Sequence, residues 1–490
     1  MARKAYNSLR IFFAASVALL LSLQFVGDAS PATVTVTNGV QFTDTGGKVV
    51  HAHDGSMIKV GGYYYWFGEN PYPNNHFRYI SVYRSADLHA WEFRHNVLTE
   101  ASAPELHAAD ASLWRPKVLY NARTKQYVMW MRKGSKPDAN EAQKGRVAIA
   151  VSRTVDGDYA YRGSFRPLGI KSYDMTAFRD DDGKAYLIST THDQTDLTIF
   201  RLTPDYLRVA GKVATLPGVK REGTAMFKRN GVYFLVASGV TGWFPNQAKY
   251  TTATSIAGPW SAMADYGDSI AYGSQSSSVL QVQGSTTTSY LYLGDRHART
   301  WGPSLSASEY VWLPLRFPSR RSISLRWYPW VSIDTSTGVV RGIGGGHAYN
   351  VLRVRHSNMC LSVPGASNDN GTWVKQQTCG TAADPNQHWQ LLRVAPDYYR
   401  LIVRHSHKCL TAPWRSTADG LPAAQQTCGT GTNQQWRFTR VAGGYFELSS
   451  RRSGKCLTIA GASMTNGARA VQATCERSAN QQWRVAGAPY

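Results

Sequence analysis

Stretches of consecutive aromatic and aliphatic residues recur along the first two-thirds of the chain, and each begins just after a glycine or a charged turn. Segments in which apolar and polar residues alternate lie between them, as in half-buried β-strands. The matching tyrosines of the apolar stretches are 63, 59, 47 and 57 residues apart, which suits a repeated small antiparallel sheet. The five stretches are GGYYYWFG (61–68), KQYVMWM (125–131), GKAYLIS (183–189), NGVYFLVAS (230–238) and TTSYLYLG (287–294).

Five such units predict an all-β fold, a five-bladed β-propeller over residues 33–341. In a propeller, radial packing protects the strand edges, and the inner strands of the blades converge on a central pocket. We interpret the five apolar stretches as those inner strands. A β-sandwich is the alternative arrangement of the same strands. The glycines at 342–346 predict a short flexible linker after this domain.

The last third of the chain is a threefold repeat with a period of 47 residues. Each repeat opens with Cys-Leu, has a second cysteine 19 residues later and ends in an NQHW or NQQW motif. Units this short must stack to bury a common core. Equal spacing of all the cysteines is typical of structural disulfides rather than of metal or catalytic sites. The predicted pairs are Cys360–Cys379, Cys409–Cys428 and Cys456–Cys475, and the predicted core tryptophans are Trp389, Trp436 and Trp483.

The amino terminus has the features of a secretory signal peptide. Arg3, Lys4 and Arg10 precede an apolar run over residues 11–26, and small residues follow around 29–32. A membrane anchor is the alternative, because the run is about as long as the shortest membrane span. No basic residue directly follows the run, and the sequence has no other long apolar stretch. We therefore predict a signal peptide over residues 1–32 and a secreted, extracellular protein.

Composition limits the classes of protein and of partner. With 43% hydrophobic and 18% charged residues, the chain is neither disordered nor a coiled coil. Its 12% of aromatic residues suits β-structure and carbohydrate stacking. The formal net charge of +22 would fit a nucleic-acid partner, but the basic residues are scattered and form no long run. We expect no nucleic-acid binding, and we interpret the charge as favouring adhesion to acidic polysaccharide.

Three carboxylates precede repeated strands at similar distances: Asp54, Asp174 and Glu222. In a propeller, these positions lie around one axis. Cleavage of a glycosidic bond needs two carboxyl groups on opposite faces of the sugar, one protonated as acid and one ionised as base. A third carboxylate nearby raises the pKa of the acid by like-charge repulsion. The aspartates at 180–182, in contrast, precede a glycine and are expected in a hairpin turn.

The three carboxy-terminal repeats resemble the ricin-type β-trefoil of carbohydrate-binding module family 13 over residues 347–490. This resemblance implies a carbohydrate-binding domain. Sugar-binding members usually have an aspartate two residues after the first cysteine of a repeat, and its carboxylate accepts hydrogen bonds from sugar hydroxyls. This chain has Ser362, Thr411 and Thr458 at those positions, which are weaker acceptors. A trefoil with only a structural role is therefore the alternative.

The segments around the three carboxylates resemble glycoside hydrolase family 43, over about residues 45–335. That family consists of inverting five-bladed propeller enzymes that act on glycans containing arabinose, xylose or galactose. The resemblance implies that Asp54 is the general base, that Asp174 adjusts the pKa of the acid and that Glu222 is the general acid. Trp114 in WRPKV matches the family's Trp-Ala-Pro-Asp segment, with Lys117 in place of the aspartate.

Within that family, the chain is most similar to the exo-β-1,3-galactanase subfamily. The subfamily usually has glycine at the position of Asp54 and uses a glutamine, which matches Gln275, in place of a carboxylate base. It also usually has glutamate at the position of Trp114. Because this chain has both groups, Asp54 is the predicted base and Gln275 orients water or a sugar hydroxyl; Gln275 as base is the alternative. The shared stretches include RPKVLYN (115–121), TGWFPN (241–246), GSQSSSVL (273–280), LGDR (293–296) and YVWLPL (310–315).

Further residues are candidates for holding the sugar. Glu69 in FGEN and Arg296 in GDRH are predicted ligands, and Trp114 is expected to shape the substrate subsite. Trp243, two residues after Thr241 in the shared TGWFPN stretch, is a predicted stacking platform, because an aromatic face suits the axial C–H patch of galactose. Thr241 itself is a further predicted substrate-binding residue.

We predict no required metal or cofactor. His51 and His53 share a face of a strand-like segment, but no third ligand stands at a suitable spacing for zinc. Many members of the family have a metal-linked histidine where this chain has Gln275. A structural calcium ion is therefore not supported by the sequence.

Together these features predict a secreted, inverting exo-glycosidase that releases galactose from β-1,3-galactan, acts on a polysaccharide substrate and is a monomer. Related subfamilies share most of the motifs, so an α-L-arabinofuranosidase or a β-D-galactofuranosidase is the alternative within enzymes. A non-catalytic glycan-binding protein is the alternative of another class. The three carboxylates argue against it, because binding alone does not need an acid and a base on opposing blades.

Overall fold

The structure is a computed structural model that describes residue 1 and residues 33–107, 112–134, 140–243, 246–267, 271–298, 304–343, 349–381, 384–395, 398–413 and 416–487. These residues form β-strands and short 3-10 helices, and no α-helix occurs among them. No helix within these ranges is long and apolar enough to cross a membrane. Residues 2–32 of the predicted signal peptide and residues 344–346 of the predicted linker lie outside the described residues, so both stay predictions.

Most of the first 24 strands form antiparallel sheets from strands that follow one another in the chain; the exception is the first strand, which pairs with the twenty-third. Four sheets have four strands each, a fifth has three, and two small sheets accompany them. The strands are β1 (Val34–Thr37), β2 (His53–Val60), β3 (Tyr63–Asn70), β4 (Tyr79–Ser85), β5 (Glu92–Thr99), β6 (Ser112–Asn121), β7 (Gln126–Gly134), β8 (Arg146–Ser152), β9 (Ala160–Phe165), β10 (Met175–Arg179), β11 (Ala185–Thr191), β12 (Asp196–Leu202), β13 (Val209–Leu216), β14 (Arg221–Arg229), β15 (Val232–Gly239), β16 (Lys249–Ala253), β17 (Ala264–Asp265), β18 (Gln275–Gln283), β19 (Thr288–Arg296), β20 (Glu309–Pro314), β21 (Arg316–Ser319), β22 (Ser322–Ser324), β23 (Trp330–Asp334) and β24 (Val339–Ile343).

The first strands of the five main sheets face one another in a ring. β2 contacts β6, β6 contacts β10, β10 contacts β14, β14 contacts β18, and β18 returns to β2. Each sheet continues outward from its first strand in chain order, as β2-β3-β4-β5 does. The described sheets therefore have a propeller-like arrangement, and β2, β6, β10, β14 and β18 are its inner strands.

The interpretation of the five apolar stretches as inner strands was wrong: each is the second strand of its sheet, namely β3, β7, β11, β15 and β19. A second strand has a hydrogen-bonded neighbour on each side and apolar side chains on both faces, so it is buried nearly throughout. The inner strand before it begins with polar residues that face the axis. Asp54 and Glu222 belong to these inner strands, and Asp174 directly precedes one.

The amino-terminal segment completes the fifth sheet. Val40 forms a bridge with Tyr310 of β20, and the backbone N–H of Tyr310 donates to the Val40 carbonyl at 2.9 Å. The side chain of Asn38 donates to the carbonyls of Trp312 and Tyr328 and accepts from the Trp312 N–H. Residues from opposite ends of this region are thus joined where the ring closes.

The carboxy-terminal strands form a closed barrel. β25, β28, β29, β33, β34 and β37 pair in that order, and β37 pairs again with β25. This closure and the threefold pattern are those of a β-trefoil. The strands are β25 (Tyr349–Val354), β26 (Cys360–Ser362), β27 (Lys375–Gln377), β28 (Trp389–Ala395), β29 (Tyr398–Val403), β30 (Cys409–Thr411), β31 (Leu421–Pro422), β32 (Ala424–Gln426), β33 (Trp436–Val441), β34 (Tyr445–Ser450), β35 (Cys456–Ile459), β36 (Ala470–Ala473) and β37 (Gln482–Gly487).

The connections of both regions contain one-turn 3-10 helices. They comprise Glu100–Ser102, Pro104–Leu106, Glu141–Gln143, Pro167–Gly169, Ala271–Gly273, Leu305–Ala307, Pro364–Ala366, Pro385–Gln387, Thr432–Gln434, Ala442–Gly444, Ala460–Ala462 and Ala479–Gln481.

Each trefoil repeat is held by the same two devices. The tryptophan of the QxW motif is completely buried, and its indole N–H donates at 2.9 Å to the carbonyl of the leucine that follows the first cysteine. A disulfide then closes each repeat, which confirms the predicted pairs Cys360–Cys379, Cys409–Cys428 and Cys456–Cys475. The tryptophans are core residues, as predicted, and are not available as stacking platforms.

Removing the middle disulfide with Cys409→Ser and Cys428→Ser is expected to lower the free energy of unfolding of the trefoil by about 3 kcal/mol. The bond joins residues 19 apart, so it restricts a short loop in the unfolded chain. Urea unfolding followed by tryptophan fluorescence measures the change, and the transition of the propeller-like sheets serves as the internal control. An unchanged trefoil transition, or an equal shift of both transitions, would contradict this expectation.

Candidate active site

Four of the five inner strands are irregular at the end that faces a common cavity. Their pairing with the second strand skips residues between His53 and Ser56, between Trp114 and Lys117, between Glu222 and Ala225, and between Ser276 and Ser278. Such β-bulges re-aim side chains and end regular pairing. Within three of them, Asp54, Arg115 and Gly223 have left-handed φ angles of 52°, 57° and 59°. The bulges thus turn polar side chains from several sheets toward one place.

That place is a cavity of about 290 Å³ at the middle of the ring. All five main sheets, or the loops that extend them, contribute to its wall. Seven of its eleven lining residues are polar or charged, and two are tryptophans. The lining residues are Asp54, Trp114, Arg115, Arg132, Asp174, Gln194, Glu222, Val240, Gly242, Trp243 and Gln275.

The structure brings together six of the nine residues that the sequence singled out for this site. The six are Asp54, Trp114, Asp174, Glu222, Trp243 and Gln275. The other three, Glu69, Thr241 and Arg296, are not among the described residues that line the cavity. Glu69 lies beneath it, where its carboxylate accepts from the Arg115 N–H at 2.8 Å. The Thr241 hydroxyl accepts from the Asn246 side chain at 2.6 Å.

Arg296 points away from the cavity. Its Nε donates to the Tyr272 carbonyl at 3.0 Å, and the guanidinium lies 4.8 Å from the ring centre of Trp327. A further nitrogen is 3.7 Å from a carboxylate oxygen of Glu309. Because successive side chains of a strand alternate between faces, its neighbours Asp295 and His297 face the other way and approach Asp54. The described contacts of Arg296 therefore lie outside the cavity lining.

Glu222 is the carboxyl group of this cavity that is suited to hold a proton. Burial and the nearby charge of Asp174 raise its pKa to about 7. Gln275 donates through Nε2 to Glu222 Oε1 at 3.3 Å. Asp174 is held in place on both sides, since Arg115 Nε lies 2.5 Å from one carboxylate oxygen and the Gly223 N–H donates to the other.

Asp54 is the carboxyl group suited to stay ionised. Burial alone would raise its pKa, but the positive charges of Arg115, His297 and Lys117 hold that pKa well below its usual range. Arg115 Nη1 is 3.3 Å from Asp54 Oδ1, and His297 Nε2 is 3.1 Å from Oδ2. Burial lowers the pKa of His297, but the Asp54 charge outweighs it and raises that pKa overall. The Asp54 N–H donates to Asp295 at 3.2 Å, which fixes the backbone.

Arg115 connects the two carboxylates and is buried. Besides Asp54 and Asp174, its guanidinium donates to the Gln275 side chain and, at 2.9 Å, to the Ser276 carbonyl. The charges of the surrounding carboxylates outweigh burial and raise its pKa, so it stays protonated. One side chain therefore orients the predicted base, the residue that adjusts the acid and the glutamine.

Sequence reasoning did not assign roles to Arg115, Arg132, Gln194 or His297. His297 stands directly beside Arg296, so strand alternation was the signal that could have found it, whereas Arg115 faces the cavity together with its neighbour Trp114 because of the bulge there. Arg132 lies on the second strand of its sheet, and its guanidinium is 4.7 Å from the ring centre of Trp114. His297 is sandwiched between Asp54 and Trp243, whose ring centre is 5.0 Å from that of the imidazole.

The charges at the cavity floor do not fit a calcium ion. The Lys117 ammonium and the Arg115 guanidinium lie beside the carbonyl and carboxylate oxygens that could otherwise coordinate a cation. In the described part of the chain, no group of three or more His, Cys, Asp or Glu residues could hold a metal ion. His53 instead pairs with Asp295 at 3.2 Å. The aspartates at 180–182 lie in the turn between β10 and β11, as predicted.

A second cavity, of about 500 Å³, lies on the trefoil. Trp373 and Asn433 are part of its wall. Thr411, one of the residues that replace the usual aspartate, is also part of it, but its hydroxyl donates to the Cys409 carbonyl and accepts from Gln434. Thr458 makes the same two contacts in the third repeat.

Comparisons with known proteins agree with both regions. The sequence matches Glycosyl hydrolases family 43 over residues 49–312, and Ricin-type beta-trefoil lectin domain-like over residues 339–426, 385–468 and 432–489. It is similar to an exo-β-1,3-galactanase from Clostridium thermocellum, with 39% identity, a TM-score of 0.61 and coverage of 92% of this chain and 99% of that one. An exo-β-1,3-galactanase from Phanerochaete chrysosporium, solved with β-1,3-galactotriose, has 26% identity and a TM-score of 0.62, covering 92% of this chain and 100% of that one. No curated protein matches the chain.

Proposed function

The chain belongs to glycosyl hydrolase family 43, and on that premise we propose that it is a secreted, inverting exo-β-1,3-galactanase. Its substrate would be β-1,3-galactan of the arabinogalactan type, from which it releases terminal galactose. The likeness to galactanases from two organisms over nearly their whole length supports this substrate. We further propose that the five main sheets constitute five propeller blades and that the trefoil binds the polysaccharide through the cavity beside Trp373.

One observation carries the proposal: a single cavity holds two carboxyl groups whose pKa values are driven apart. Burial and Asp174 keep Glu222 protonated up to about pH 7, while Arg115 and His297 keep Asp54 ionised. A pair of this kind supplies a general acid and a general base at the same pH. A protein that only binds glycans has no use for it.

The proposed reaction is a single displacement. Glu222 donates its proton to the glycosidic oxygen as the bond between that oxygen and the anomeric carbon breaks. A water molecule attacks the same carbon from the opposite face and gives its proton to Asp54. Gln275, held by Arg115, orients the water or a sugar hydroxyl. The product is galactose of inverted configuration, and both carboxyl groups return to their starting protonation through exchange with solvent.

We propose that this chemistry needs no metal or cofactor and that the protein acts as an extracellular monomer. The cationic floor of the cavity supports the first point, since Lys117 and Arg115 already neutralise the oxygens there. Three disulfides support an oxidising, extracellular location.

Incubation of the mature protein with β-1,3-galactan, and separately with aryl β-galactofuranoside and aryl α-arabinofuranoside, tests the proposal. We expect release of galactose from galactan alone, with the α-anomer appearing first in proton NMR spectra. Release only from a furanoside would replace the galactanase assignment with a furanosidase. No release from any substrate, with galactan binding intact, would favour a glycan-binding protein.

Gly134→Ala is expected to weaken galactan binding through Trp114. A Cβ at Gly134 would lie 2.3 Å from the indole of Trp114, so the ring must move out of its place in the cavity wall. Such crowding costs about 1–3 kcal/mol, and we expect KM to rise about tenfold with a smaller change in kcat. Gly211→Ala is the matched control, because no atom lies within 4 Å of a Cβ there. Equal KM values for both variants would contradict the role of Trp114.

A further inference from the structure

Lys117 is buried beneath the cavity, where its ammonium group contacts three backbone carbonyl oxygens. The distances from Nζ are 2.8 Å to Asp54, 2.6 Å to Gly55 and 2.8 Å to Ser277. A lysine this deeply buried is uncommon unless its charge is compensated. Here the compensation comes from backbone dipoles and from the nearby carboxylates of Asp54, Asp174 and Asp295, while Arg115 opposes it.

The three carbonyls belong to residues that the sheets leave out of their ladders. Asp54 and Gly55 fall between the paired residues His53 and Ser56 of β2, and Ser277 falls between the paired residues of β18. A bulge frees backbone groups that must find another partner when buried. The Lys117 side chain, which leaves β6 at the end of its own bulge, supplies that partner to both neighbouring inner strands.

The geometry requires an ammonium group rather than a neutral amine. Three acceptors around one nitrogen need three N–H donors, and only the protonated form of lysine has three. Burial lowers the pKa of Lys117 to about 7. Keeping the ammonium protonated therefore costs free energy, which the three contacts offset. No other side chain could do this, because arginine presents a flat group and glutamine only two donors.

We propose that Lys117 is a positioning residue whose ammonium acts as a tethered cation, joining three inner strands so that Asp54 and Gln275 keep their reacting geometry. Asp54 and Ser277 contact it directly, and Gln275 lies two residues before Ser277. A glycine is needed at position 55 for the bulge of β2 to lie this close to β3, because a Cβ there would be 1.6 Å from the Phe67 carbonyl oxygen. The kinetic part of this proposal rests on the proposed hydrolase activity, whereas the binding part does not.

Lys117→Ala tests the proposal by removing the ammonium group from between the three carbonyl oxygens, which we call the carbonyl cage. Misplacing reacting groups by about 1 Å costs about 100-fold in rate, and we expect a loss of kcat of that order with KM changed less than about threefold. Ethylammonium or n-propylammonium should restore kcat with saturation. The same cations should raise the midpoint of thermal unfolding of Lys117→Ala but not of the wild type, because a ligand stabilises only the state that binds it.

Three controls make the result specific. Tetramethylammonium has the same charge but no N–H donor and should not rescue. Lys117→Met fills the space with apolar atoms and should not respond to any ammonium ion. Lys455→Ala removes a lysine that pairs with Asp419 in the trefoil and should keep wild-type kcat.

Each outcome decides the question. Wild-type kcat in Lys117→Ala would overturn the proposal, and so would a folded, inactive variant that no alkylammonium ion rescues or stabilises. If Lys117→Ala does not fold, kcat is measured for Lys117→Gln instead, and a chelator is added to the wild type. Activity lost on chelation would mean that a metal, not Lys117, is the cation. Absence of galactose release by the wild type would instead count against the proposed function, while the unfolding midpoints would still test the cage.

Discussion

Glu222→Gln is expected to lower kcat/KM on β-1,3-galactan by about 10²- to 10⁴-fold, the usual contribution of a general acid. Glutamine keeps the size of the side chain and its contact with Gln275, but it has no acidic proton for the glycosidic oxygen. Binding of galactan should therefore persist while turnover is lost. Reducing-sugar release and calorimetric binding to galactan measure the two effects separately.

The nature of the leaving group distinguishes the loss of an acid from a general disturbance. A β-galactoside with an acidic aryl leaving group needs little protonation, so Glu222→Gln should lose far less activity on it than on galactan. Glu447→Gln is the matched control, because Glu447 is a buried glutamate of the trefoil, far along the chain from the cavity lining. Equal losses on both substrates, or loss in the control, would remove Glu222 from the role of acid.

The pH dependence follows from the pKa of the same residue. Glu222 must be protonated to act, and its pKa is raised to about 7, so kcat/KM should fall as the pH rises above about 7. Asp54 must be ionised, and its lowered pKa places its loss of function at strongly acidic pH. Asp174→Asn removes a like charge and should move the alkaline fall to lower pH. In Glu222→Gln, any alkaline fall that remains belongs to another group, such as Lys117, whose pKa is also about 7.

Asp54→Asn is expected to cause a loss of similar size, about 10²- to 10⁴-fold in kcat. Asparagine fits the same space between Arg115 and His297, but an amide oxygen does not take up a proton from water at neutral pH. Gln275→Asn should cost much less, about tenfold, because the amide serves as an orienting group that the shorter side chain withdraws. Single-turnover rates on galactotriose, with folding checked by circular dichroism, provide the comparison.

The reverse order of the two losses would identify Gln275 as the group that activates water. In that case, Asp54 would act through Arg115 and His297 alone. Asp54→Asn should also reduce stability at neutral pH, because the lowered pKa of Asp54 means that its charge stabilises the folded protein above about pH 4 and ceases to do so as the pH falls.

Repetition made much of this molecule predictable. The three carboxylates could be found because each precedes the same strand of its sheet, and repeats of one sheet bring equivalent positions to one axis. The disulfides and the buried tryptophans of the trefoil followed from identical spacing in three copies. The wrong assignment of the innermost strand did not change the predicted placement of the carboxylates, because the order of strands is the same in every sheet.

Contacts across the ring were not predictable in this way. Arg115 meets Asp174 and Gln275 from sheets that lie 59 and 160 residues further along the chain, and only the bulge at Arg115 aims it there. Arg296 shows the opposite failure: the GDRH motif suggested a ligand, but the alternation of the strand sends Arg296 outward and His297 inward. Bulges shift this alternation by one residue, and no local pattern in the sequence marks where they occur.

The bond between Asn38 and Trp312 joins residues 274 positions apart. During synthesis, the amino-terminal segment is among the first parts of the mature chain to appear, yet its partner strand emerges only after four complete sheets. At about 5–20 residues per second, the interval is on the order of tens of seconds. The amino-terminal segment thus meets its partner late and at a high cost in loop-closure entropy, and a nascent chain halted before residue 312 has all the parts of four sheets but no partner strand for Asn38.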